Sequence, residues 1–461
     1  MNRLIEVTLA LVVVGTTLAF GGVQTITFTI MEFVVFGLFL LLLLQQTRAG
    51  LIELPLPIWP ILFVVLVASQ LIPIPVAVLE KVSPARLADV AMLPGTTWGA
   101  LSVYPRVTWL GLVKFLAFVA AFVLAAHVSD LRRNRSVLVR VLILLGLVEA
   151  GYGIVQYLTG WHKIFTYTKK YDLEEATGTF INRNHFAGHL ELVFPFVLAA
   201  AFYAFERWAG RHRALRGTAE GDVRSSAAQQ AVFYLFLLAL IVVAMVFSRS
   251  RMGILVTLVT LVFMSVLAQV KVRRKGWLLG ILGFLGVVGS YGLWIGLGPV
   301  LARFERITDP HYLTIEGRYA IWSDTVRLIR DFPVFGSGLG TFEVVYRQYQ
   351  TTLVENAVDH AHNDYLEFTA NTGLIGVALM FIPIFYLLVR MIFAFLEDSR
   401  GYRRSITLGC IGGTLALLLH SLTDFNLQIS ANALTFAVIL GIGYRAAILD
   451  PRQKEMGGSF Q

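Results

Sequence analysis

Residues 359–380 read DHAHNDYLEFTANTGLIGVALM. Two histidines two residues apart and a polar run lead through Gly373-Leu374-Ile375-Gly376 into unbroken hydrocarbon. Such a junction marks a place where water meets a bilayer, and the rest of the chain agrees. Of its 461 residues, 57% are hydrophobic and only 15% charged, outside the range of soluble domains. The 33 Phe and eight Trp suit lipid-facing and interfacial surfaces. The expected fold is an all-α integral membrane protein.

Runs long enough to cross a hydrocarbon core of roughly 30 Å occur near 4–21, 28–44, 58–78, 108–127, 137–158, 186–205, 231–247, 253–270, 277–297, 373–395, 405–423 and 432–449. That makes about twelve transmembrane helices, with no internal repeat. Residues 2–20, NRLIEVTLALVVVGTTLAF, resemble a signal peptide, but no small-x-small cleavage site closes them, so they are expected to stay as the first helix. The single cysteine, Cys410, lies in an apolar run and permits no intrachain disulfide.

The net charge of +9 raises the question of nucleic acid, but the cations sit in short loops between apolar runs, and membrane topology explains them. With the N-terminus inside, 22 of the 38 Lys and Arg fall in cytoplasmic segments, including RRNR (132–135), five arginines between 207 and 224, and KVRRK (271–275). Nine fall in short external segments and six in one long external loop, 298–372, which the rule largely exempts. Both termini are then cytoplasmic. The chain divides into N-terminal helices 1–136, central helices 137–297, the external loop 298–372, and C-terminal helices with a short tail, 373–461.

In that topology the remaining polar clusters all face outward: FINRNH (180–185), SRSRMG (248–253), EGRYAIW (316–322), the histidine stretch and HSLTDFN (420–426). Within the long loop, Trp322, Val326 and Ile329 recur at helical spacing, with Asp324, Arg327 and Asp331 elsewhere around the wheel. This predicts an amphipathic helix over 317–331, resting on the outer leaflet or on the bundle and ended by Pro333 and FGSGLGTF (335–342). The glycines of the latter read as a turn, since no strand or βαβ pattern surrounds them to make a nucleotide loop.

Each cluster has a plain and a chemical reading. Arg249 and Arg251 are either snorkelling loop cations or phosphate ligands; they lie outside against the charge rule, and guanidinium forks match phosphate oxygens. Arg183 and His185 stand at the mouth of the 186–205 span with Asn184 as a candidate N-cap, which serves either interfacial anchoring or an anionic ligand. Arg318 either neutralises Glu316 or joins a phosphate site. For His360 and His362, a metal site fits poorly, because positions i and i+2 do not share a helical face, whereas a general base at the membrane surface fits well. If 359–372 is helical, the two histidines flank an apolar stripe of Ala361, Tyr365 and Phe368, and helix geometry does not choose between them. Asp359 is the candidate partner of His362, and Asp364 that of His360.

Taken together, these stretches resemble the O-antigen ligase and polymerase family of bacterial envelope glycosyltransferases. The family's hallmark, His-[Asn/Ser/Gln], nine residues, then Gly-x-x-[Gly/Thr/Tyr], is satisfied by His362-Asn363, residues 364–372, and Gly373 to Gly376. The arginine stretches and HSLTDFN resemble family segments in family order, over about 140–450, although His185 departs from the pattern. The resemblance implies transfer of a glycan from a polyprenyl-diphosphate carrier to a hydroxyl of a lipid or glycan acceptor. The site would lie on the external face of the bacterial inner membrane and need no metal or other cofactor. It implies His362 as general base, with Arg249, Arg251 and Arg318 stabilising the leaving diphosphate. Arg183, Asn184, His185, His360, Asn363 and Asp424 are then candidates for contacting substrate. Ligase and polymerase share this chemistry and are not divided by it. A transporter of a small anion or lipid-linked glycan is the alternative, although only Lys114, Glu149 and Glu191 fall inside spans.

Overall fold

The computed structural model describes residues 1–50, 53–92, 95–131, 136–214, 221–272, 286, 314–351, 358–399 and 401–450. The apolar runs fold as helices: α1 (Asn2–Leu18), α2 (Thr25–Arg48) and α3 (Ile58–Leu71). Strand β1 (Pro73–Pro75), α4 (Val76–Val82), α5 (Pro84–Ala91) and β2 (Trp98–Ala100) follow, and β1 pairs antiparallel with β2. Then come α6 (Pro105–Val128), α7 (Val137–Thr159), the ribbon β3 (Lys163–Ile164) and β4 (Tyr167–Thr168), α8 (Arg183–Ala214), α9 (Gly221–Phe247) and α10 (Arg251–Val272). The chain continues with α11 (Thr314–Asp331), α12 (Phe342–Tyr346), α13 (Asp364–Glu397), α14 (Gly401–His420) and α15 (Ser430–Tyr444).

Among the described residues eight helices, α2, α6 to α10, α13 and α15 with its π-helical continuation to Leu449, are long and apolar enough to cross a membrane. The protein is an all-α membrane protein. Of the twelve expected spans, 277–297 lies outside the described residues except for residue 286, as do 298–313, 352–357, the basic segments 132–135 and 273–275, and the tail 451–461. The expected 58–78 span is corrected: α3 stops after 14 residues at Leu71, because Pro73 and Pro75 cannot continue a helix and enter β1 instead.

Helix α8 is the centre of the bundle, with 89% of its apolar window buried against 22% for α2 at the periphery. Glycines on α14 make the approach possible. A Cβ on Gly409 would overlap the Phe196 ring, and one on Gly412 would meet Met264 and Pro195, so the backbones come close where no side chain intervenes.

The two ends of the bundle are different. At one end Arg404 pairs with Glu206, buried Arg403 pairs with Asp398, and Arg445 donates to the Ala126 and His127 carbonyls. The opposite end carries the turns at 180–183, 248–250 and 421–425, together with α11 and α12.

There the glycine-rich turn 335–340 is wedged onto a break in α13. Gly373 has φ +68°, and a Cβ on it would overlap the Val334 carbonyl; one on Gly336 would overlap the Asn371–Thr372 peptide. The ladder broken at Gly373 is repaired by neighbours: Ser337 and Gly338 donate to the Ala370 and Asn371 carbonyls, and Leu374 donates to Pro333. Gln70 of α3 donates to the Phe335 and Asn371 carbonyls and accepts from the Leu339 amide. Helix α13 is thus a short polar segment, 364–372, followed by a membrane span.

Candidate active site

The histidine stretch is not helical up to its end. Helix α13 starts at Asp364, capped by Asn363, whose Oδ1 accepts from the Leu366 amide at 3.0 Å while its Nδ2 donates to the Leu422 carbonyl at 2.8 Å. This corrects the helical reading of 359–372. His362 just before the cap has φ +50°, a left-handed backbone that costs a β-carbon-bearing residue on the order of 1 kcal/mol.

That turn aims His362 at Asp424: Nδ1 lies 3.6 Å from Oδ1. The same carboxylate faces His185 Nε2 at 3.8 Å and Arg318 Nη2 at 3.7 Å. Asp424 is 1% exposed. Burial alone would raise its pKa, but the facing imidazoles of His185 and His362 and the Arg318 guanidinium hold it well below the usual carboxylate range. It is an anion at neutral pH. Its neighbour Phe425 is ringed by the three histidines, with His360 stacked on it at 4.1 Å and His362 and His185 edge-on at 4.9 and 4.6 Å.

His360 has a different partner. Its Nδ1 lies 2.9 Å from Glu367 Oε1, and the other oxygen of that buried carboxylate accepts from the Ala361 amide. Burial disfavours the imidazolium, but Glu367 overrides it and pushes the pKa up to about 9. His360 is therefore a cation at neutral pH; the two imidazoles are similarly exposed, 28% and 30%, but His360 is bonded to its carboxylate at 2.9 Å whereas His362 stands 3.6 Å from Asp424. The expected partners were Asp359 and Asp364. Asp364 instead points inward, accepting from the Ser421 hydroxyl and the Leu427 amide.

Helix α11 closes over this cluster. Arg318 donates to the Thr423 carbonyl at 2.8 Å, and Trp322 donates to Ala361 at 2.9 Å. The amphipathic reading needs one correction. Ile321, Thr325 and Leu328 face inward together with Asp324, while Val326 is exposed. A buried aspartate is tolerated because Tyr346, Thr351 and Arg327 all bond to it. The side chain of Glu316 lies outside the described residues.

Arg183 and Arg249 form a second cluster. Arg183 Nη1 lies 2.8 Å from Glu175 Oε1 and 3.3 Å from Asp172 Oδ1, while Arg249 Nη1 lies 3.0 Å from Glu174 Oε2 and 3.9 Å from the same Glu175 oxygen. Arg249 also has a left-handed backbone, φ +51°, and lies over the Tyr157 ring at 5.6 Å. Arg251 heads α10 two residues on. The expected N-cap Asn184 is replaced by Asn182, whose Oδ1 accepts from the Asn184 amide at 2.7 Å, because α8 begins at Arg183, two residues earlier than a cap at Asn184 implies. The first turn of α8 therefore joins the clusters, with Arg183 in one and His185 in the other.

Below the histidines an apolar cavity of about 530 Å³ runs between α3, α6, α13 and α15, lined by Phe63, Phe115, Phe368 and Phe436, with Leu427 and Gln428 at one end and Tyr444 and Ile448 at the other. Lys114 also lines the cavity, with its Nζ over the Phe28 ring at 4.5 Å.

Several participants were missed by sequence reasoning. Glu367 was hidden inside the run taken for an apolar stripe. Asp172, Glu174 and Glu175 form an acidic run beside basic Lys169 and Lys170; that charge reversal just before Arg183 was an available signal.

Fold and site together define a multi-helix membrane protein with a histidine, carboxylate and arginine cluster at one end of its bundle. Residues 236–381 match the family described as O-Antigen ligase. The matched segment contains Arg249, Arg251, Arg318, His360, His362 and Asn363, with the glycines of the α13 break. No curated protein matches the chain.

Proposed function

We propose that this protein transfers a glycan from a polyprenyl-diphosphate carrier to an acceptor hydroxyl at the external face of the bacterial inner membrane, with His362 as general base. The observation that carries the reading is the contrast between the two histidines. His360 is held as a cation by Glu367, whereas His362 leans on ionised Asp424, which orients one ring nitrogen and leaves the other to receive a proton.

The reaction balances on these groups. The acceptor oxygen bonds to the anomeric carbon, and its proton passes to His362. The bond from that carbon to the diphosphate breaks, and the electron pair leaves with the phosphate oxygen. Arg318, Arg249, Arg251 and Arg183 oppose the developing charge, in the role fixed donors play for any oxyanion. Asn184, His185 and Asn363 shape the turns around the sugar. The apolar cavity beside Leu427 suits part of the carrier's hydrocarbon chain.

The test is transfer of an oligosaccharide from undecaprenyl diphosphate by the purified protein in nanodiscs. Product formation that disappears in His362→Ala supports the reading. Anion or glycan uptake into proteoliposomes without transfer would favour a transporter instead. Orientation is tested with reporters: those fused after residue 225 or 275 should be cytoplasmic and those within 340–355 external, and an external signal at 275 reverses the sidedness.

A further inference from the structure

The acidic run Asp172–Glu175 lies on Arg183 and Arg249, two of the four arginines that the reading above gives to the diphosphate. Arg183, Arg249 and Lys169 contribute three positive charges, and Asp172, Glu174 and Glu175 three negative ones, so the cluster as built is electrically balanced. A balanced cluster has no net attraction for an anion. One carboxylate must give way, and the geometry says which.

Glu175 is buried. Its carboxylate oxygen Oε1 serves Arg183 at 2.8 Å and Arg249 at 3.9 Å, and its carbonyl accepts from Lys169 Nζ at 2.9 Å. It ties two arginines from separate loops, at the start of α8 and the end of α9, into one unit. Asp172 supports the same arrangement, accepting from the Arg183 backbone amide at 3.1 Å. Glu174 is the opposite case. Its side chain is 80% exposed and reaches only the outer face of Arg249, whose own side chain is 14% exposed. Arg249 keeps a buried Nε with no hydrogen-bond partner among the described residues and a left-handed backbone, so its placement is not set by its own bonding preferences.

We propose that the two adjacent glutamates have opposite tasks toward a diphosphate: Glu175 is a positioning residue that aligns Arg183 and Arg249, and Glu174 is a place-holder that covers Arg249 until the diphosphate displaces it. This rests on the reading of these arginines as diphosphate ligands. Displacing Glu174 sends a carboxylate into water, where exposed ion pairs have little to lose, and leaves the cluster of Arg183, Arg249, Lys169, Asp172 and Glu175 with one net positive charge. Displacing Glu175 would take apart the pair itself.

The experiment compares Glu174→Gln and Glu175→Gln, each removing one negative charge at adjacent positions. Binding of undecaprenyl diphosphate is measured by native mass spectrometry in phosphatidylcholine nanodiscs, alongside KM and kcat for transfer. Glu174→Gln should tighten binding about two- to five-fold. Glu175→Gln should weaken it about ten-fold and raise KM more than it lowers kcat, while Glu175→Asp, which keeps the charge, should recover part of the loss. If Glu175→Gln fails to fold, the Glu175→Asp variant carries the test and must weaken binding. Two shifts in the same direction would mean that both glutamates act only as background charge, and the proposal fails. Arg249→Gln separates the two levels: if it leaves binding unchanged, the diphosphate reading itself falls.

Discussion

His362 Nδ1 lies 3.6 Å from Oδ1 of Asp424, across the turn that joins α14 to α15. The carboxylate is buried, ionised and shared with Arg318, so in the proposed reaction it would stabilise an imidazolium at His362. Asp424→Asn keeps the shape and removes the charge. We expect a loss in transfer rate of about ten- to a thousand-fold with carrier binding retained, measured as initial rates in nanodiscs. A variant with wild-type rates would show that the carboxylate only holds the turn.

The two histidines should respond unequally to truncation. His362→Ala should insert normally, bind carrier and lose about 10²–10⁴-fold in transfer. His360→Ala should keep most of its turnover, because its imidazole is spent on Glu367 and Phe425. A reversed order at equal expression would move the base to His360.

His360 also makes stability depend on pH. Its pKa is raised in the folded protein, so its pairing with Glu367 contributes fully below about 6.5, the usual histidine value. The contribution is lost as pH rises toward and through about 9. Thermal unfolding of the wild type should therefore shift downward between these limits, by the equivalent of about 3 kcal/mol. In His360→Gln that part of the pH dependence should be gone; an unchanged profile would show that the pair does not titrate in this window.

For the arginines, each charge-assisted contact to the leaving diphosphate is worth roughly 2–4 kcal/mol, or about 30- to 1000-fold in rate. Neutralising Arg249, Arg251 or Arg318 should cost activity in that range, while transfer persists in EDTA. Turnover abolished by chelation and restored by magnesium would shift the charge stabilisation from the arginines to a metal.

The apolar runs and the gathering of polar clusters at one end of the bundle were legible in the sequence, because hydrophobic length and charge bias are local quantities. The α3 boundary was also encoded there, in Pro73 and Pro75, but was overrun by a hydropathy window that ignores the missing amides. Asp324 looked like a solvent-facing position on the α11 wheel, and only Tyr346 and Thr351, brought by a later turn, explain its burial. The choice between His360 and His362 likewise rested on Glu367 and Asp424. One sits within the same stretch, but the other comes from beyond a whole membrane helix, and periodicity carries no information about such a pairing.

The glycine clamp on α13 gives the nine residues between Asn363 and Gly373 a geometric meaning. Nine helical residues are about two and a half turns, roughly 13.5 Å, fixed at one end by the Asn363 cap and at the other by the wedge of Gly336 under Gly373. The segment acts as a ruler with a set phase. One residue more or fewer would turn its far end by about 100° and carry His362 away from Asp424, although every side chain in the site was still present. Here distance along the chain sets an angle in space, and the direction of one imidazole is measured from a backbone contact about two and a half turns away.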